Sequence, residues 1–296
     1  FAAPGAAEPE VFSGPKPKHA MAKAKICRAR DLRIPGVVVV CLSWLGLDSL
    51  LFSAPKPAEQ RFLFCRHGQT TFNVEDRFQG TMNEEPVLTQ KGQEQARELG
   101  KWLKEQTIDS IDAVFVSPLL RAQHTLELAR EVAGNKIPES ATTLQELREI
   151  ELYEWEGFTQ PEVKAKSPEQ FRQWKEEAWN LCVSGHFVVR DLWQRAGEAW
   201  KIMRKVAPST GVSLIVAHGT LGRAMLGTAL GLPEQAFRYF AIKNGEVVEV
   251  VFPDKSSSAA SGAKWRKVHP TQGPWRSLAD EQKAMATSSV EEVDIA

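Results

Sequence analysis

Residues 62–73 read FLFCRHGQTTFN. Four apolar residues, Phe62, Leu63, Phe64 and Cys65, run without a break into Arg66, His67 and Gly68. A short continuous apolar run is the pattern of a strand covered on both faces. Nothing in the packing of such a strand calls for a cation and an imidazole at its end. The reading that accounts for them is presentation: the strand is a rigid post whose end offers Arg66 and His67 to a pocket. Gly68 then lets the backbone turn sharply or a ligand approach closely.

The same arrangement recurs downstream. VSLIVAH, residues 212–218, is a second buried strand, and its closing His218 is also followed by glycine, Gly219. A third, AVFVS at 113–117, leads into SPLLRAQHT, in which Pro118 opens a helix and delivers Arg121 early in it. Between these strands, LTQKGQEQARELGKWLKEQ (88–106) has apolar residues near helical spacing behind Thr89, a plausible N-cap. SPEQFRQWKEEAWN (167–180), DLWQRAGEAWKIMRKV (191–206) and TLGRAMLGTALG (220–231) read as further helices. The tryptophan stripes of the first two have the spacing of core residues. EVVEVVF (246–252) and WRKVHP (265–270) are late strands. Strands alternating with helices predict an α/β fold of three layers, α/β/α, around a mostly parallel central sheet.

This domain spans residues 60–253. Residues 254–296 read as a flexible linker, DKSSSAASGAK, and an acidic tail from Ser277. Residues 1–59 differ from the rest. Their first twenty are rich in Ala, Pro and Gly without periodicity and are expected to be disordered. Between Met21 and Ala58, basic residues precede the apolar stretch GVVVVCLSWLGLDSLLFSA. That order suits a signal or transit segment, with the protein in the cytoplasm or a plastid. A membrane anchor at residues 36–52 is the competing reading, although the stretch contains Asp48 and is short for a span.

Composition narrows the function. With 37 Lys plus Arg against 37 Asp plus Glu, the chain lacks the cation surplus that bulk nucleic-acid binding needs. The four cysteines, Cys27, Cys41, Cys65 and Cys182, form no C-x-x-C pair and fit no zinc spacing. Oligomeric state is not legible.

In open α/β sheets, sites form beyond the carboxyl ends of the strands. Two arginines and two histidines delivered there suit phosphate. Arginine pairs bidentately with phosphate oxygens, and a neutral imidazole nitrogen can attack phosphorus. A lone strand-end histidine is more often structural, and each motif by itself is weak. Three in order, each at a strand terminus, are not.

RHGQTTFN, RFQG, PVLTQKGQEQA, SPLLRAQHT, LQELREIELYEWEG (144–157) and IVAHGTLGRAML (215–226) together resemble the histidine phosphatase superfamily, also called phosphoglycerate mutase-like, and its phosphatase branch. The resemblance covers Arg61 to about Pro253. It implies that His67 is the nucleophile that becomes phosphohistidine. It implies that Arg66, Arg121 and His218 hold the phosphoryl oxygens, with Asn73, Gly68 and Gly219 lining the pocket. It selects Glu149 as the acid that protonates the leaving group. The residues alone leave Glu146, Glu151, Glu154 and Glu156 equally open. A phosphomonoester hydrolase acting on a small phosphorylated metabolite, a sugar phosphate or a phosphorylated acid, is therefore expected. It would need no metal and no cofactor. The alternatives are a phosphoglycerate mutase and a catalytically silent phosphate-binding scaffold. The chain departs from the family at Phe72, where many members have tryptophan, and at Tyr153, where they have glycine. Tyr153 could crowd the pocket entrance. At Gly185-His186-Phe187 a Gly-Glu-Ser is missing, and His186 is a candidate replacement. His124, three residues beyond Arg121, reads as structural or exposed.

Overall fold

A computed structural model describes residues 59–82, 86–253 and 262–287. The expected N-terminal extension, with its candidate targeting segment and the apolar stretch 36–52, lies outside these residues, as do His19, Cys27 and Cys41.

The strands are β1 (Gln60–Arg66), β2 (Ala113–Val116), β3 (Thr142–Thr143), β4 (Cys182–Val183), β5 (His186–Phe187), β6 (Gly211–Ala217), β7 (Val247–Phe252), β8 (Lys264–His269) and β9 (Arg276–Ser277). The main sheet has the order β3-β2-β6-β1-β7-β8-β9, and β4 and β5 form a separate hairpin. The four strands from β3 to β1 pair in parallel, and β7, β8 and β9 add to the β1 side antiparallel. The expected parallel sheet is thus a parallel core with an antiparallel flank.

The α-helices are α1 (Thr71–Val74), α2 (Gln90–Glu105), α3 (Leu120–Ala133), α4 (Gln160–Lys166), α5 (Pro168–Glu176), α6 (Val188–Val206), α7 (Gly219–Leu230) and α8 (Leu278–Thr287). Thr89 caps α2 as its position predicts, its side chain accepting from Gly92 N–H at 3.1 Å. The pleat divides β1 between two cores. Leu63 and Cys65 join Val114, Val116, Leu214 and Val216 against Leu99, Leu103 and Leu126 of α2 and α3. Phe62 and Phe64 face the other way, with Phe115, Ile215 and Phe252, toward Trp200, Met203 and Met225 of α6 and α7. Both faces are covered, which is why the run at 62–65 is apolar throughout. Cys65 is the buried thiol its position suggested, and burial, then Glu246, pushes its pKa up to about 12.

The flexible tail expected over 254–296 is corrected in part. β8 is the late strand expected at 265–270 and continues the main sheet, and the correction is α8, which packs back on it. Trp265 Nε1 donates to Glu281 Oε1 at 2.8 Å, and Arg276 Nε lies 2.9 Å from the same oxygen. Glu281 is fully buried by these contacts. Nothing local in an acidic segment announces a partner sixteen residues upstream.

Candidate active site

β1 and β6 are parallel neighbours, and Arg66 of one is in register with Ala217 of the other. His67 N–H donates to Ala217 O at 2.9 Å. The two His-Gly turns therefore leave the sheet side by side, and the ring centroids of His67 and His218 lie 5.2 Å apart. β2 flanks β6 on its other side, and Ser117 N–H donates to Val216 O at 3.0 Å. Ser117 Oγ then sits 2.7 Å from His218 Nε2. The strand register alone brings the ends of β1, β2 and β6, and so the three strand-end motifs, together.

His67 is 2% exposed, with Nδ1 2.7 Å from Gly68 O. A carbonyl oxygen can only accept, so Nδ1 carries the proton and Nε2 keeps its lone pair. Burial, followed by the charges of Arg121 and Arg66, holds the His67 pKa well below the ordinary histidine value. The ring is therefore neutral at physiological pH, with Nε2 available as a nucleophile. Burial and then Arg121 act on His218 in the same direction. Its Nδ1 is buried with no hydrogen-bond partner among the described residues. His218 thus enters as a neutral hydrogen-bonding group, and a phosphoryl anion between the arginines would favour its protonation.

Arg66 Nη1 donates to Ile242 O at 3.0 Å. The guanidinium lies over Gly219, where a Cβ would fall 2.8 Å from Arg66 Cζ. Arg121 is 2% exposed and donates from Nη2 to Gly80 O at 2.8 Å. Thr125, one turn along α3, donates to Arg121 O at 2.7 Å and accepts Gly68 N–H at 3.1 Å. Sequence reading missed Thr125, as it missed Ser117, because neither residue type nor spacing distinguishes a positioning hydroxyl. The close approach at Gly68 is to another backbone: a Cβ there would fall 2.2 Å from Gly92 O of α2. Asn73 lines the cleft above Arg66. Its Oδ1 accepts from Thr70 N and from Asn244 Nδ2, both at 3.1 Å. Asn244 Nδ2 also lies 3.1 Å from His67 O, tying Asn73 to the backbone of His67.

The structure distinguishes among the five glutamates. Glu149 is buried and lines the cleft beside Arg66 and Gly219. The other four are at least partly exposed: Glu151 pairs with Arg148, Glu154 bonds Ser184, and Glu156 caps Thr81 N–H and Leu152 N–H. Glu149 Oε1 accepts from Leu221 N–H at 2.8 Å and Ile150 N–H at 2.9 Å, and Oε2 from Thr220 N–H at 3.0 Å. The carboxyl is held on the otherwise unsatisfied N–H groups that open α7. Arg195 Nη2 of α6 donates to Glu149 O at 2.8 Å and fixes the segment from behind.

The departures from the family pattern fall elsewhere. Tyr153 has φ +52°, a left-handed conformation that favours glycine. Its ring stacks on His186 at 4.8 Å, and both line a separate depression with Asp191 and Arg195. Neither residue lines the cleft above Arg66. His124 lines another depression with Leu120 and Glu127. His269, in β8, lies with its ring 5.4 Å from that of Trp102. Among the described residues, no group of three His, Cys, Asp or Glu is placed to hold a metal ion.

Known proteins resemble this chain in sequence and fold. The chain is 38% identical over 179 residues to a probable 2-carboxy-D-arabinitol-1-phosphatase of Arabidopsis thaliana, covering 60% of this chain and 35% of that one. It thus spans about a third of that relative's length. Phosphoserine phosphatase 1 of Hydrogenobacter thermophilus is 30% identical over 186 residues, covering 62% of this chain and 82% of the relative. Among solved structures, a mycobacterial glucosyl-3-phosphoglycerate phosphatase complexed with VO3 superposes with a TM-score of 0.57 at 25% identity, over 70% of this chain and 96% of that one. The family profile of the histidine phosphatase superfamily (branch 1) matches residues 62–261, and with it the strand-end histidines and arginines of this cleft: the chain belongs to that superfamily.

Proposed function

We propose that the protein is a phosphomonoester hydrolase that works through a phosphohistidine at His67 on a small phosphorylated metabolite, a sugar phosphate or a phosphorylated acid. The observation that carries this reading is the His67 ring: Nδ1 is fixed on Gly68 O at 2.7 Å, and Nε2 keeps its lone pair between two arginines and His218. The relatives named above as phosphatases support it.

The steps follow from the residues. His67 Nε2 attacks phosphorus, an N–P bond forms, and the ester P–O bond breaks. The leaving oxygen takes its electron pair and a proton from the Glu149 carboxyl. Arg66, Arg121 and His218 bond the three equatorial oxygens, where charge accumulates in the transition state. In the second half, Glu149 takes a proton from water, the oxygen attacks phosphorus, and the N–P bond breaks to return the lone pair to Nε2. The acceptor geometry of Glu149, held by three backbone N–H groups, is that of the form needed for this second half. The acid form for the first half is regenerated by the proton taken from water.

Quenching in alkaline detergent of protein incubated with a 32P-labelled monoester tests the reading. It should trap an acid-labile, base-stable phosphoryl group that is absent in His67→Ala. Activity surviving in His67→Ala would refute it.

A further inference from the structure

Arg223 lies one helical turn beyond Gly219 in α7. It lines the same cleft as Arg66 and Glu149 and also the adjoining groove that holds Lys243. It is only 6% exposed, and its Nη1 is buried with no hydrogen-bond partner among the described residues. Arg238, at the end of the short helical turn Glu234–Arg238, leaves Nε and Nη2 buried in the same condition. Its guanidinium stands 5.6 Å from the ring of Trp174, which lines the cleft and whose Nε1 is also buried without a partner. Arg223 stands 5.6 Å from Phe237.

These unmatched atoms share one property: each is an N–H donor. A ligand that satisfied them would have to supply acceptor oxygens. Two carboxylates face the cleft, but both are engaged: Glu149 with three backbone N–H groups, Asp76 with the Gln160 amide at 2.9 Å. Burying an unpaired charge is unfavourable, and two such guanidiniums near each other repel. Burial, then Arg238 and Arg66, lower the Arg223 pKa to about 10, so it stays a cation at neutral pH. Arginines outnumber carboxylates in the cleft lining, Arg66, Arg77 and Arg223 against Asp76 and Glu149, and a surplus of positive charge beside a phosphate site fits a ligand bearing a second negative group. Guanidinium forks match carboxylate or phosphoryl oxygens in paired hydrogen bonds.

We propose that Arg223 and Arg238 form a second anion subsite, and that the substrate is a phosphomonoester carrying another anionic group, a carboxylate or a second phosphoryl, which these arginines hold while the first phosphoryl lies at His67. The proposal rests on the phosphatase reading for the chemistry at His67, but not for binding. That separates their tests.

Binding is measured calorimetrically on the full chain carrying His67→Ala, which prevents turnover. The probes are D-3-phosphoglycerate, 1,3-propanediol bisphosphate and glycerol 3-phosphate. Either or both of the first two should bind at least about tenfold more tightly than glycerol 3-phosphate, and which of them does so identifies the second group. Arg223→Met, which keeps much of the apolar stem, and Arg238→Gln should each remove most of that preference. Thermal unfolding checks that each variant folds; if Arg223→Met does not, Arg238→Gln decides. Equal affinity for all three probes, or a preference that survives in the folded variants, overturns the subsite. A clear preference in a protein whose unsubstituted form hydrolyses none of the probes, nor any other monoester, would leave the subsite standing and refute the phosphatase reading.

Discussion

The rings of His67 and His218 stand 5.2 Å apart, tilted 59° to each other, at the ends of two strands that are neighbours in the sheet. Both are buried, and neither is paired with a carboxylate among the described residues. The pair is therefore a device for keeping imidazoles neutral beside arginines, which is what a nucleophile aimed at an anion requires. In the proposed reaction the arginines attract the phosphoryl group, and burial together with their charge keeps protons off the nitrogen that attacks it.

That arrangement makes stability depend on pH. The folded pKa values of His67 and His218 lie well below the unfolded value near 6.5. Below that value the unfolded chain takes up protons that the folded chain refuses, so the unfolded state is favoured as pH falls. Each histidine contributes up to about 1.4 kcal/mol per pH unit, about 2.7 together. His269, partly buried in β8, acts in the same direction. Urea unfolding should show a lower midpoint at pH 5.5 than at pH 7.5, with the loss reduced in His67→Gln. Equal stability at the two values would mean that the buried histidines accept protons in the fold.

The two glycines of the His-Gly turns should respond differently to alanine. At Gly68 the added Cβ meets the backbone oxygen of Gly92 at 2.2 Å, and the turn and α2 must separate. A loss of about 1–3 kcal/mol in thermal or chemical unfolding is expected. At Gly219 the Cβ meets the Arg66 guanidinium, a side chain that can shift. Here stability should hold better, while kcat/KM falls by roughly a hundredfold because the phosphate clamp is displaced. A Gly219→Ala protein with full activity would show that Arg66 does not act from its position over the α7 N-terminus.

Glu149→Gln tests the proton donor. A poor leaving group depends on the acid, and a good one does not. Turnover of an alkyl phosphate should fall by about a hundredfold or more, and that of p-nitrophenyl phosphate much less. The comparison within one variant matters, because the amide replaces an oxygen that accepts a backbone N–H with a donor, which disturbs the site for both substrates alike. Equal losses would assign the proton to another group, with Glu156, which caps Thr81 beside the Gly80–Arg121 contact, next in line.

Hydrolysis and isomerisation separate in one assay. A mutase must keep phosphohistidine from water until a second substrate oxygen attacks it. With 3-phosphoglycerate, free phosphate should accumulate and the positional isomer should stay a minor product, measured in the same reaction. Isomer formed well ahead of phosphate would make the protein a mutase. Binding of phosphate compounds with neither product, from any monoester, would make it a phosphate-binding scaffold.

The sequence by itself determined the parts whose cause is local. An unbroken apolar run ending in Arg66-His67-Gly68 is a buried strand with a site at its end, because backbone geometry alternates the side chains and both faces must be covered. The cap at Thr89 and the helices with apolar stripes were legible for the same reason. Residue types told the chemistry: two arginines and two histidines suit an anion. Only the tertiary structure decided which side chains meet. The register of β1 with β6 sets His67 beside His218, and that pairing joins residues far apart in the chain. Glu149 stands out from its four neighbours because the opening N–H groups of α7 hold it, a contact across 71 residues. Ser117 and Thr125 gain their roles from position alone. Nothing in the sequence marks Arg223 or Arg238; only the structure shows donors of both buried beside the cleft without a partner among the described residues. The tail joined the fold through Trp265 and Glu281 on the same terms. Hydrogen bonding and burial between distant segments depend on where the chain returns, and that is fixed by the whole core, not by any local pattern.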